Sequence, residues 1–243
     1  KEAVLHRDGP LVIFAGAGSG KTRIITTRIA HLIESGVMPW QILAVTFTNK
    51  ASREMKERVG AISSSGSQVH IGTFHSACAR WLREFAPLLG FQPDFTIYDD
   101  KDSVGALKQI LGEFNIGSNG PSANEYKNAI GKAKVYGWFP ADAAELMPQH
   151  PHTFPQLSAQ VYKRYQEYLA QCNAMDFNDL LMNMVLLLRK NPMARDQLQK
   201  RYRYIMVDEY QDTNPTQFAL VSELTGERKN LCVVGDDDQS IYS

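Results

Sequence analysis

Short apolar runs alternate with stretches of helical periodicity over the first 95 residues. Leu11–Ala15 is wholly apolar and ends in glycines, which predicts a buried parallel strand feeding a turn. Thr22–Glu34 sets Ile25, Ile29, Leu32 and Ile33 at helical spacing, with Gly36 as the stop signal. Ile42–Thr46 is a second apolar strand, and the segment after it places Ala51, Met55, Val59 and Ile62 on one helix face. Gln68–Thr73 alternates Val69 and Ile71 with polar neighbours, as a strand does, and Cys78, Trp81, Leu82 and Phe85 mark another helix. Strand and helix in turn, three times over, predict an α/β sheet with helices on its faces.

The rhythm changes near Phe95. From Asp99 to about Ala174 the pattern is helical, broken at Gly117–Asn124, Gly137–Pro140 and Pro148–Pro155. Leu157, Val161, Tyr165, Tyr168 and Leu169 line one face there. The α/β pattern then returns, with Met175–Lys190 reading as a helix and Tyr204–Val207 and Leu231–Val234 as strands. The expected organisation is a discontinuous α/β domain, 1–95 and 175–243, carrying a mostly helical insertion, 96–174.

Composition narrows the classes. With 44% hydrophobic and 21% charged residues the chain can bury a core, and no apolar run is long enough to span a bilayer. Lys plus Arg and Asp plus Glu balance at 26 each, which argues against nucleic-acid binding by bulk charge but permits a local basic groove. Cys78, Cys172 and Cys232 form no CxxC pair, so neither a disulfide framework nor a zinc site is expected, and a reducing cytoplasm fits. The first residues carry no signal-peptide pattern and no initiator Met, so a fragment of a longer protein is expected.

The candidate chemistry starts at AGAGSGKT, Ala15–Thr22, between the first strand and the first helix. Gly16, Gly18 and Gly20, with Ala17 and Ser19 between them, let successive N–H groups curl around phosphate oxygens, and the helix N-terminus adds partial positive charge. In a phosphate loop of this kind Lys21 reaches the β- and γ-phosphates of ATP and the Thr22 hydroxyl ligates Mg²⁺. Ala15 stands where the strict pattern has glycine. A second half of such a site needs an acidic group after another buried strand. Asp208 and Glu209 follow Ile205–Val207 and supply a metal-binding carboxylate and a general base.

Together these residues resemble superfamily 1 DNA helicases of the UvrD, Rep and PcrA group. AGAGSGKTR resembles their motif I, AVTFTNKASREMKERV (Ala44–Val59) motif Ia, and GTFHS (Gly72–Ser76) the motif after it. VDEYQDTNPTQ (Val207–Gln217) is similar to motif II and VVGDDDQSIYS (Val233–Ser243) to motif III, with DFNDLL (Asp176–Leu181) matching a further stretch. The resemblance implies a RecA-like, P-loop NTPase fold, a doubly wound parallel sheet with an inserted helical domain. It also implies ATP-driven movement on single-stranded DNA, 3′ to 5′, with unwinding at junctions of single and double strands. By the same resemblance Arg23 contributes nucleotide contacts and Gln239 senses the γ-phosphate.

Ligands in doubly wound sheets bind beyond the strand carboxyl ends, which makes TFTNK and GTFHS candidate DNA loops. Phe47, Asn49, Lys50 and Thr73 are the candidates there, and Phe74 and His75 stay open between DNA contact and core. Tyr126, Lys132, Lys134, Tyr136 and Trp138 of the insertion stay open between a duplex-facing patch and helix packing. The family's adenine-reading glutamine would precede Lys1, and its second RecA-like domain, with the arginine fingers, would follow Ser243. The chain alone is therefore expected to bind nucleotide weakly and hydrolyse it poorly. Two alternatives remain open, the helicase part of a RecB-type helicase–nuclease and a nucleotide-dependent DNA-binding scaffold.

Overall fold

A computed structural model describes residues 1–16, 20–116, 120–146 and 159–236. Ala17, Gly18, Ser19 and Gln239 lie outside the described residues. The strands are β1 (Leu11–Phe14), β2 (Ile42–Thr46), β3 (His70–Thr73), β4 (Thr96–Tyr98), β5 (Ala174–Asp176), β6 (Tyr204–Val207) and β7 (Leu231–Gly235). The helices are α1 (Glu2–Leu5), α2 (Lys21–Glu34), α3 (Asn49–Ile62), α4 (Phe74–Phe85), α5 (Asp100–Glu113), α6 (Ala123–Val135), α7 (Pro140–Leu146), α8 (Ala159–Gln171), α9 (Phe177–Lys190), α10 (Pro192–Arg201) and α11 (Pro215–Thr225). Among the described residues no helix is long and apolar enough to cross a membrane.

Two compact units divide the chain, one of Lys1–Ala77, Leu188–Thr213 and Gln217–Ser243, the other of Cys78–Leu187 and Asn214–Thr216. The first holds a five-stranded sheet in the order β1-β7-β6-β2-β3, with every pairing parallel. This is the α/β sheet that the alternating pattern predicts. β2 and β6 are buried along their whole length, which is why they read as unbroken apolar runs. Ile25, Ile29 and Leu32 of α2 have no exposed surface and pack with Met55 and Val59 of α3 against Ile42, Ala44, Met206 and Val234. Truncating one of them, as in Ile29→Ala, removes about 2–5 kcal/mol by leaving a cavity. Gly36, at φ +89°, ends α2 in a left-handed turn while the Val37 N–H donates to the Leu32 carbonyl. Ile62, predicted on the inner face of α3, is half exposed, because the helix is in its final turn there.

The second unit is mostly helical, with a short parallel pair of β4 and β5. Its core joins Leu107, Ile110, Tyr126, Ile130, Val161, Tyr162, Tyr165 and Leu169. Capping boxes start two of its helices, Asp99 with Asp102 at α5 and Ser122 with Glu125 at α6. Met175 and Asp176, read from periodicity as helical, belong to β5. There the Asp176 carboxylate accepts the Asp179 N–H at 2.9 Å while Asp179 accepts the Asp176 N–H at 3.0 Å, so α9 starts one residue later. The aromatic and basic residues of α6 and its end separate by depth. Tyr126 and Lys134 are buried, whereas Lys132 is exposed and the half-exposed Tyr136 stacks on Trp138 at 5.4 Å.

Candidate functional site

Because the sheet of the first unit is fully parallel, β1, β7, β6, β2 and β3 end on one edge. All described residues of the expected nucleotide site follow these ends. Gly20 caps α2 at φ +89°, a left-handed conformation that a side chain would strain, and Lys21 is the first helical residue. Thr22 is partly buried in the same first turn, and Arg23 is exposed.

The Lys21 ammonium, 9% exposed, lies 3.2 Å from Asp236 Oδ2 at the end of β7 and 3.3 Å from Glu209 Oε2 after β6. Burial alone would lower its pKa. Hydrogen bonds to Asp236 and Glu209 outweigh that and hold it above the usual lysine value, fully charged at neutral pH.

Asp208 is buried, its N–H donating to the Val45 carbonyl at 3.1 Å and its Oδ1 accepting the Glu209 N–H at 3.1 Å. Burial, and then the Glu209 charge, push its carboxyl above the usual aspartate range. Glu209 occupies the left-handed region at φ 51°, ψ 48°, at a cost of about 1–2 kcal/mol for a residue with a Cβ. That turn keeps its side chain 40% exposed while its carboxylate still meets Lys21. Gln211, a motif II residue to which the sequence gives no role, donates from Nε2 to Glu209 Oε2 at 2.7 Å and accepts the Asp236 N–H on Oε1 at 3.1 Å. Asp236 is the other unassigned member. It lies within VVGDDDQSIYS, the stretch similar to motif III, and that placement is the signal that could have found it.

The TFTNK and GTFHS stretches reach the same edge, each running from a strand end into the first turn of a helix. Phe47, just past β2, is half-buried and meets Phe74 edge-on, with ring centroids 5.7 Å apart. Phe74 is 2% exposed, so its ring packs inside and supports Phe47. Asn49 and Lys50 are exposed in the first turn of α3, which Thr48 caps by accepting the Ala51 N–H. Thr73 is buried and its hydroxyl accepts the Ser76 N–H, so it starts α4. His75 is mostly buried, and burial pushes its imidazole down to about 4, leaving it neutral at pH 7.

The family profile described as UvrD/REP helicase N-terminal domain matches residues 1–243. The chain belongs to the UvrD/REP helicase N-terminal domain family. Relatives of this domain include the ATP-dependent DNA helicase PcrA of Staphylococcus aureus, 46% identical over 99% of the chain. PcrA of Staphylococcus epidermidis is 45% identical over the same share. The chain spans 33% of the length of either relative. Membership accounts for the fold of the UvrD/REP domain seen here, a RecA-like sheet with a helical insertion.

The donor set of this UvrD/REP domain fits Mg²⁺. A buried carboxylate whose pKa is raised by desolvation and by a like charge, as at Asp208, would be relieved by a divalent cation. Magnesium takes one or two carboxylates and a hydroxyl along with substrate phosphates, not an all-protein cage. Asp208 and Thr22 are the residues that could hold it.

Proposed function

We propose that this chain is the ATP-binding part of a DNA helicase motor that moves 3′ to 5′ on single-stranded DNA and opens duplexes at junctions. One observation carries the reading. Lys21, Glu209 and Asp236, far apart in sequence, converge at the sheet edge where a left-handed glycine opens α2. The activity named for its relatives, ATP-dependent DNA helicase, points the same way.

In this mechanism the backbone N–H groups of the Ala15–Thr22 turn cradle the phosphates of ATP, and Lys21 releases its carboxylate partners to meet the β- and γ-phosphates. Glu209 accepts a proton from water as the water oxygen bonds to the γ-phosphorus and the bond to the β–γ bridging oxygen breaks, leaving ADP and phosphate. Asp208 and Thr22 would hold Mg²⁺, which neutralises charge on the phosphate oxygens when bound. Arg23 and Gln239 serve the nucleotide, and arginine fingers of a second RecA-like domain complete the site. Phe47 stacks on a base of the single strand, with Asn49 and Lys50 beside it and Phe74 as its support.

Glu209→Gln in the full-length protein tests the base. Binding of a fluorescent ATP analogue should stay within about threefold of the parent. DNA-stimulated phosphate release should fall by about 10²–10⁴-fold. Turnover near the parental rate would remove Glu209 from the role.

A further inference from the structure

Four groups of the site close a ring of hydrogen bonds. Lys21 Nζ donates to Glu209 Oε2 and to Asp236 Oδ2, Gln211 Nε2 donates to Glu209 Oε2, and the Asp236 N–H donates to Gln211 Oε1. Gln211 is the member of this ring with no charge, and both ends of its amide are used. Turning the amide over would set its N–H against the Asp236 N–H and its oxygen against the Glu209 carboxylate, so the two contacts fix its orientation together. The approach also depends on Gly235. A Cβ there would lie 3.1 Å from Gln211 Oε1, closer than side chains normally pack.

We propose that Gln211 is a positioning residue, whose amide holds the Glu209 carboxylate in its hydrolytic orientation and ties that orientation to the end of β7. The proposal rests on the reading of Glu209 as the base. Glu209 is 40% exposed, and a glutamate at that exposure has rotamers to lose. The 2.7 Å charge-assisted hydrogen bond from Gln211 restrains them from one side. Its other end is held by the backbone of Asp236, whose carboxylate in turn holds Lys21. A shift of β7 against β6 therefore reaches the base through this amide as well as through Lys21. Displacing a catalytic group by about 1 Å costs on the order of 10²-fold in rate.

The test uses the full-length protein, with DNA-stimulated phosphate release for kcat and KM and equilibrium binding of a fluorescent ATP analogue. Gln211→Met keeps the side chain's length and removes both hydrogen bonds. It should lower kcat by about 10- to 100-fold while analogue binding stays within about threefold. Gln211→Glu keeps an acceptor for the Asp236 N–H but loses the donor to Glu209. The Glu209 carboxylate beside it raises the new carboxyl's pKa, so the variant should match Gln211→Met at about pH 8 and recover relative to the parent towards about pH 5.5, as a protonated carboxyl donates again. A purely structural role gives no such recovery. If Gln211→Met does not fold, Gly235→Ala presses on the same amide from β7 and should lower kcat with binding kept.

A parental kcat in Gln211→Met, an equal loss of binding and kcat, or a Gln211→Glu deficit indifferent to pH would each overturn the proposal. Glu209→Gln, run alongside, separates the two readings. If it keeps turnover, the base assignment fails. If it loses turnover while the Gln211 variants do not, the positioning role alone fails.

Discussion

The Lys134 ammonium lies 2.6 Å from the Asp176 carboxylate inside the helical unit, and Lys134 is only 1% exposed. Asp179 Oδ1 is 2.7 Å from the same ammonium, which makes a second buried ion pair. Tyr165 completes the cluster by donating its hydroxyl to Asp176 at 3.2 Å. The main-chain carbonyl of Lys134 accepts the Thr216 hydroxyl at 2.9 Å. DFNDLL therefore contains a buried charge cluster as well as a helix cap.

Removing the cation strands two carboxylates in the interior. Lys134→Met should destabilise the helical unit by about 3–5 kcal/mol. Hydrogen exchange of α8 and α9 should register that loss. Protection equal to the parent's would mean that the cluster contributes nothing.

Burial, with the Asp176 charge adding to it, pushes the Asp179 carboxyl up to about 6. Its folded pKa lies above its unfolded value near 4, so its contribution to stability is present below about pH 4 and is lost as the pH rises through about 6. The parent should therefore gain stability relative to Asp179→Asn between pH 7 and pH 4. Denaturant melts of both proteins across that range would show the difference, and parallel curves would sink the prediction.

His75 behaves in the opposite sense. Burial holds its folded pKa at about 4, below the unfolded value near 6.5, so its contribution is present above pH 6.5 and is lost as the pH falls towards 4. The loss reaches roughly 3 kcal/mol at most. The imidazole resonances should not titrate above about pH 5, and His75→Gln should leave the salt dependence of DNA binding unchanged, since a neutral ring pairs with no phosphate. A midpoint near 6.5 by NMR would contradict both expectations.

Phe47 and Phe74 touch, yet their truncations should separate. Phe47→Ala should weaken single-strand binding by about 1–3 kcal/mol, measured by fluorescence anisotropy, with little change in stability. Phe74→Ala should cost about 3–5 kcal/mol of stability, because a buried ring leaves a cavity. A stable Phe74→Ala protein with selectively weakened DNA binding would place that ring at the interface after all.

Sequence alone made the sheet, the helices flanking its first three strands, the glycine turn before Lys21 and the acidic pair after β6 legible. Each rests on neighbours within one element, where hydrophobic period and turn chemistry act directly on the backbone. Local pattern could not separate the buried Lys134 and Tyr126 from the exposed Lys132 and Tyr136, because depth in the helical unit depends on which helix packs where. It left Phe74 open between core and DNA contact, and only the packing turned that ring inward while Phe47 stayed partly exposed. The strand order, with β7 between β1 and β6, was decided only in three dimensions. That order brings Asp236 to Lys21 across 215 positions and Gln211 to Asp236 across 25. Contacts of such separation depend on how crossover connections stack the strands, which no local period encodes. The chain's own residues determined what chemistry is present, and the parallel sheet determined which of those residues meet.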